Sequence, residues 1–317
     1  MRLGLGCVGL GSASGAGWRH DVRLVEEAVD RGVTVFDTAD AYGAGTSERV
    51  LGRALRRRRA DVVLATKAGY RFRERSRAEH SMRRAAAPVL ARVRRPGGGP
   101  AADDSGRRSG GGYRDQDFSP SYVRQAVHGS LRRLRTDYVD VLQLHGPARI
   151  DPSVIDDLRD LVDAGKIRQI GVGAESVVVA AAAITTPGVD VVQVPFGVLD
   201  PEAAEAVFPL AGKGVEIWAR GVLGSGLLTA AAFDGPAMRA DPKWPRISAL
   251  LGLSRREGLA IDELAVGFVR ARPEVSTLLL GMTTREHLRR NVDLMESPPL
   301  DAGLVAEIWT LMRGEHD

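Results

Sequence analysis

Short runs of β-branched and apolar residues recur along the chain, and each is followed by a stretch with helical spacing. "LGLGCVGLG", "VTVFD", "DVVLATK", "YVDVLQLH", "IRQIGVG", "VDVVQVPF", "VEIWAR" and "VSTLLLG" carry apolar side chains at neighbouring positions rather than only at alternate ones. Strands of this kind bury both faces, as parallel sheets require. Between them, "DVRLVEEAVDRG", "SERVLGRALRRR", "SPSYVRQAVHGSLRRLR" and "PSVIDDLRDLVDAGK" repeat apolar residues three and four apart, which predicts helices with one buried stripe. Thr46 and Ser47, ahead of "ERVLGRAL", read as the start signal of the second of these helices. Several of these units finish at Gly32, Gly165, Gly188 and Gly214, where a left-handed C-cap or tight turn precedes the next strand. Eight strands, each followed by a helix, within 317 residues predict a (β/α)8 TIM barrel forming one domain over residues 1–317.

The alternation breaks once, from about Arg71 to Phe118. "RRPGGGPAADDSGRRSGGG" has no periodicity and reads as a flexible insertion. It interrupts the connection after the third strand, on the face where barrel active sites lie. The segment also changes how the charge is read. The chain as a whole carries +4, but residues 71–118 hold 12 arginines against 6 carboxylates, so the remainder is near −2. The basic balance belongs to one insertion and not to the fold.

At 44% hydrophobic the chain has enough apolar side chains for a full core, yet no window of 18 consecutive apolar residues predicts a membrane span. The start, "MRLGLGCVGLGS", lacks the apolar h-region and cleavage pattern of a signal peptide. A single Cys7 excludes an internal disulfide and argues against a thiolate metal site. These features together predict a soluble cytoplasmic protein with no metal.

Gly4-Leu5-Gly6-Cys7-Val8-Gly9 matches G-x-G-x-x-G. A dinucleotide fingerprint of that form needs a complete strand before the glycines and a helix opening on them. Only three residues precede Gly4, and no helical pattern starts at Gly9. The stretch reads as a glycine-rich first barrel strand and its loop.

The strand ends hold the candidate chemistry. Asp37 closes the second strand, Lys67 the third and His145 the fourth, and Tyr42 sits in the loop after the second. In a (β/α)8 barrel these ends lie side by side at one mouth. Each residue alone has a dull explanation: a turn acid, a solvated lysine, a satisfied histidine, a packing aromatic. Lysine is rare here, only four among 44 basic residues, so one at a strand end draws notice. Carbonyl reduction by hydride wants all four together. A phenol is a poor acid at neutral pH, and a neighbouring ammonium brings it nearer the working range. A carboxylate keeps the buried ammonium charged, and a neutral imidazole donates to the developing oxyanion.

"GVTVFDTADAYG…SERVLGRAL", "VVLATKAG" and "DYVDVLQLHGP" resemble the aldo-keto reductases, as do "AGKIRQIGVG", "VDVVQVPFGVLD" and "STLLLGMTTREHLRRNV". The resemblance covers nearly all the chain outside residues 71–118. It implies a (β/α)8 barrel that binds NADPH, or less often NADH, without a Rossmann domain. It implies a catalytic tetrad of Asp37, Tyr42, Lys67 and His145, acting on a small-molecule carbonyl substrate. Gln193 matches the family glutamine that holds the nicotinamide carboxamide. The usual Ser-Asn after the fifth strand is here Gly173-Ala174. Arg220 stands where many members stack a tyrosine on nicotinamide, and a guanidinium also stacks on planar groups. Gly221, Leu223, Ser225 and Gly226 fall in the loop expected beside the pyrophosphate.

After the eighth strand, Gly281 begins "GMTTREHLRRN", which looks like the adenosine 2′-phosphate segment. Thr283 to Glu286 fits a capping box, leaving a helix N-terminus toward a phosphate, with Arg285 or Arg289 to pair with it. Thr283 occupies a place where many members have arginine, so the preference for NADP over NAD is moderate. Asn291 matches the family asparagine near the adenine.

Two other classes remain in view. A non-catalytic nicotinamide-binding regulatory subunit would keep the same residues. Nucleic-acid binding through the arginine-rich insertion is disfavoured, because its arginines are mixed with acids and glycines and not clustered on one face. A lid over the substrate is a middle position for the insertion.

Overall fold

The computed structural model describes residues 1–11, 17–74, 115–212, 214–229 and 236–313. Eight parallel strands close into one barrel in sequence order, β1 (Arg2–Gly6), β2 (Val35–Asp37), β3 (Val63–Ala68), β4 (Val139–His145), β5 (Ile167–Gly173), β6 (Val191–Pro195), β7 (Glu216–Arg220) and β8 (Val275–Gly281). All eight coincide with the apolar runs. The ring shuts where β1 pairs with β8 over Arg2↔Thr277 to Gly6↔Gly281. Gly4 sits against the side chains of Leu279 and Val35, so glycine in "GLG" serves barrel closure. No helix opens at Gly9; the first one among the described residues begins at Trp18.

Inside the barrel, Val35, Ala65, Val141, Val191, Trp218 and Leu279 form a small core of their own. The larger core lies between the strands and the helices that cover them. These helices are α1 (Trp18–Asp30), α2 (Thr46–Ala54), α3 (Pro120–Leu134), α4 (Pro152–Asp163), α5 (Val177–Thr185) and short α6 (Ala203–Ala206), then α7 (Pro236–Arg239), α8 (Trp244–Glu257), α9 (Ile261–Arg270), α10 (Arg285–Glu296) and α11 (Ala302–Arg313). Their starts follow local capping chemistry: Asp151 accepts from Ser153 N at α4 and Ser176 from Val179 N at α5. Gly32, Gly165, Gly188 and Gly214 all adopt positive φ, as the turns before the next strands demand. No helix among the described residues is long and apolar enough to cross a membrane.

Two local expectations change. Thr46 and Ser47 do not cap α2, whose N-cap is Gly45 without a side-chain bond. Likewise α10 starts one residue later than the Thr283 box requires. Thr284 is extended and its hydroxyl accepts from His287 N, while the Thr283 hydroxyl meets His287 Nδ1 at 3.3 Å. The edges of the insertion are also structured. Arg71 N donates to Asp115 O, Asp117 N donates to Gly69 O, and Tyr70 bridges Gln116 in antiparallel fashion. This stem is an antiparallel ribbon on the barrel mouth. The flexible character expected of the insertion concerns residues 75–114, which lie outside the described residues.

Candidate active site

The strand register sets the order of side chains around the mouth. Gly6 pairs with Asp37, Asp37 with Ala65, Lys67 with Gln143, His145 with Gly173, Gly173 with Gln193, and Pro195 with Arg220. Parallel pairing thus brings residues as far apart as Gly6 and Arg220 onto one rim. Lys67 and Asp37 are both buried, and Lys67 Nζ donates to Asp37 Oδ2 at 2.5 Å and to Thr38 O at 3.3 Å. Gln143, fully buried, donates from Nε2 to the other carboxylate oxygen, Asp37 Oδ1, at 2.8 Å. Asp37 is therefore held on both sides, by a cation and by an amide.

Tyr42 is brought to this pair by a tight loop. A single 3-10 turn covers Tyr42–Ala44, with Gly43, Ala44 and Gly45 all at positive φ. Left-handed backbone at a non-glycine residue is costly, so the surroundings must enforce it. Thr46 Oγ1 donates to Gly43 O, Ser47 Oγ donates to Cys7 O, and Ser47 shares a 2.8 Å hydrogen bond with Thr38. The residues read as a helix-start signal act instead as staples for the tyrosine loop. Tyr42 is buried, its ring centre lies 5.2 Å from Lys67 Nζ, and it meets the His145 ring edge to face at 5.6 Å and 84°.

A second tyrosine contacts the same imidazole, for Tyr70 meets the His145 ring edge to face at 4.8 Å and 88°. Burial, then the positive charges of Lys67 and Arg220, hold its imidazolium form well below the usual histidine range, so the ring is neutral. Its Nδ1 is buried without a hydrogen-bond partner among the described residues. The same is true of Gln193 Nε2, which faces the rim from β6. Arg220, at the end of β7, donates from Nη2 to Ala174 O at 3.0 Å.

A second buried network supports the tyrosine loop from behind. Glu48 is fully buried and accepts from Thr66 Oγ1 at 2.7 Å and from Arg133 Nε at 2.6 Å. Asp40, also fully buried, has neither oxygen in a hydrogen bond of normal geometry among the described residues. Burial and the neighbouring Glu48 push its carboxyl well above the usual carboxylate range, against the pull of Arg133.

The other residues singled out from the sequence form two further groups. Gly221, Ser225 and Gly226 lie in the loop after β7 with positive φ, and open space faces the α-carbons of Gly221, Gly226 and Gly281. Leu223 packs on the core from the same loop. At the end of β8, Asn291 is buried with Nδ2 at 3.4 Å from Gly281 O, and Thr283 O meets His20 Nε2 at 3.2 Å. Arg285 and Arg289 both turn toward Glu27 on α1, at 2.8 and 3.9 Å. Sequence reasoning did not single out Gln143, Tyr70, Glu48 or Asp40.

A family model for the aldo/keto reductase family matches residues 2–312. The chain belongs to the aldo-keto reductases. The chain is 28% identical over 300 residues to "Uncharacterized oxidoreductase YqkF" of Bacillus subtilis, covering 92% of this chain and 85% of that one. It is 28% identical over 335 residues to the L-galactose dehydrogenase of Arabidopsis thaliana, covering 98% and 90% of the two chains. Among solved structures, the holo form of an aldo-keto reductase from Bacillus halodurans superposes with a TM-score of 0.74 at 28% identity, covering 98% of this chain and 91% of the other. A Klebsiella pneumoniae aldo/keto reductase in complex with NADP and acetate shares the fold at 22% identity and a TM-score of 0.68, covering 98% and 90%.

Proposed function

We propose that this aldo-keto reductase is an NADP(H)-dependent carbonyl reductase, with NAD(H) as the lesser alternative, and that Tyr42 is its general acid. The observation that carries the reading is the buried Lys67–Asp37 pair at 2.5 Å, with the Tyr42 and His145 rings packed around it. Nothing in the core gains from burying an isolated charge pair, since desolvation offsets much of its attraction. Reaction chemistry at that spot gives it a purpose.

The residues around the mouth fit a nicotinamide dinucleotide. Gln193 Nε2 is a buried donor with no protein acceptor among the described residues, as a carboxamide ligand requires. Gly221 and Gly226 leave the space that a side chain would fill, as close approach of a diphosphate requires. Arg220 stands on the same rim and offers a planar cation. At the α10 N-terminus, Arg31, Arg285 and Arg289 share the single carboxylate of Glu27, which leaves an excess of positive charge for a 2′-phosphate. Asn291 and Thr283 border the same end. When bound, the nicotinamide supplies the hydride that adds to the carbonyl carbon.

The chain's own residues handle the proton and the charge. The Tyr42 hydroxyl gives its proton to the carbonyl oxygen as negative charge grows there. The Lys67 ammonium stabilises the phenolate left behind. Asp37 keeps that ammonium charged and aimed, and Gln143 keeps Asp37 in place. Neutral His145 offers an N–H to the same carbonyl oxygen and orients it. Its neutrality matters, since an imidazolium would add a third cation beside Lys67 and Arg220.

The test is oxidation of NADPH with a panel of small aldehydes and ketones, comparing wild type with Tyr42→Phe. Loss of the acid is expected to lower kcat by about 10²–10⁴-fold while leaving the melting temperature in place. Equal turnover by the two proteins would remove Tyr42 from the mechanism.

A further inference from the structure

We infer that Gln116 is a positioning residue for His145, fixing the backbone of the turn after β4 so that the imidazole keeps its place against the Tyr42 ring. The role rests on the carbonyl-reductase reading of Tyr42 and His145. It brings in a side chain from the far end of the insertion, outside the tetrad.

The turn after β4 has little of its own to hold it. Gly146 takes φ +59°, and a side chain there would meet Glu175 Oε1 at 2.7 Å. Pro147 follows and has no N–H to give back to the turn. The Gly146 N–H is spoken for on β5, where it donates to Gly173 O at 2.9 Å. Gln116 supplies what the turn lacks. Its Nε2 donates to His145 O at 2.9 Å and to Gly146 O at 2.7 Å. An amide nitrogen carries two hydrogens, so one group serves both carbonyls, and two acceptors fix which way the amide faces.

Gln116 is itself held on either side. Arg71 N donates to Asp115 O at 3.2 Å and Asp117 N donates to Gly69 O at 2.7 Å, so ribbon bonds bracket it. Asp117 then accepts from Arg71 Nε at 3.0 Å and from Ser119 N at 2.8 Å, which ties the ribbon to the start of α3. The amide therefore reaches the β4 turn from a fixed base.

The histidine needs this support because its ring lacks the common one. In a working imidazole, the hydrogen bond made by one nitrogen sets the proton and direction of the other. His145 Nδ1 is buried and has no partner among the described residues. The Tyr42 and Tyr70 rings set its tilt edge to face but give its nitrogens no acceptor. Tyr70 pairs with Gln116 across the ribbon, so the same anchor places one of those two rings. The backbone carries the rest, and the Gln116 amide grips it at the histidine itself.

The experiment uses the full chain with Gln116→Met, which keeps the length but loses the donors, and Gln116→Glu, which turns an acceptor toward two carbonyls. The readouts are kcat with NADPH over the carbonyl panel, NADPH affinity from the quenching of its fluorescence, and the proton–nitrogen spectrum of the histidine rings. His145→Gln identifies the His145 signals by their absence. Both variants are expected to lower kcat by about tenfold or more, Gln116→Glu further than Gln116→Met, as misplacing a reacting group does. NADPH affinity should hold, and the His145 ring signals should move while those of the other histidines stay. Unchanged kcat, or a lower kcat with the His145 signals in place, would overturn the role and leave the reductase reading intact. Wild type inert toward the whole panel would remove that reading, and the ring spectrum would then decide alone. Signals that move in both variants would uphold the placement of the ring, and signals that stay would end it.

Discussion

At the floor of the barrel, Glu216 accepts from Arg2, from Trp218 Nε1 at 3.0 Å and from Ser276 Oγ at 3.1 Å, while Arg2 Nε donates to Thr277 Oγ1 at 3.2 Å. At the mouth, Asp37 is as fully engaged, but its neighbours are not. His145 Nδ1, Gln193 Nε2 and Gln143 Oε1 are all buried without a partner among the described residues. The floor cluster is also partly exposed, at 38% and 33% for the Arg2 and Glu216 side chains, whereas Lys67 and Asp37 stand at 3% and 7%. Unfilled polar capacity is expensive when buried, and a fold retains it where a ligand completes it. The Arg2–Glu216 cluster is finished on its own, and the mouth is built to be finished by something else.

The comparison breaks most readily at Lys67. Lys67→Met removes the cation and leaves the Asp37 carboxylate buried with one amide donor. The expected loss is about 3–5 kcal/mol in urea unfolding, besides the loss of turnover. A change below about 1 kcal/mol would mean that water reaches the pair, contrary to its burial. Next in size is Gln143→Leu, which takes the donor from Asp37 Oδ1 and should cost about 1–3 kcal/mol. The same variant should lower kcat more than it alters KM, because it loosens the group that aims Lys67. Unchanged kcat would make Gln143 a packing residue only.

These two residues also mark how far the sequence could be read. Lys67 was legible because parallel strands advertise themselves as unbroken apolar runs, and barrel geometry then puts every strand end on one rim. Gln143 carried a signal that went unused. In "VDVLQLH" it lies two residues before His145, so both side chains share a face of β4, and a polar side chain inside a barrel needs a partner. Other features had no local signal. Glu48 and Arg133 lie 85 residues apart, on helices whose patterns looked merely amphipathic, and only their packing makes them a buried pair. The ribbon from Tyr70 to Gln116 joins strands across a long segment without periodicity, and no turn chemistry announces it. Thr283 and Thr284 are adjacent and equally able to cap, so the cap passed to the one whose backbone is extended.

Asp40 sharpens the contrast by reversing the sign. Its carboxyl is buried, and burial and Glu48 raise its pKa in the fold well above 3.8. In the unfolded chain it ionises as pH passes that value. The folded state then binds a proton that the unfolded state has released, so the wild type loses stability as pH rises through this window. Asp40→Asn has no proton to hold. It should be more stable than wild type near neutral pH, by on the order of 1 kcal/mol, the usual size of a stabilising change. The two melting curves should converge as pH falls toward 4. A variant less stable than wild type at every pH would show that Asp40 is ionised and held by Arg133.

The smallest effect is expected at the floor. Arg2→Met deletes one member of the Arg2–Glu216 pair, yet Glu216 keeps Trp218 Nε1 and Ser276 Oγ as donors. More than a third of the arginine side chain is exposed, so water and salt already screen the attraction. The loss should stay within about 1 kcal/mol and shrink further in high salt, where Lys67→Met should keep nearly its full cost. Measuring both variants at low and high ionic strength separates a screened surface pair from a buried one more sharply than either value alone. A floor variant as damaging as the mouth variant, and as indifferent to salt, would mean that both ends of the barrel bury their charges alike.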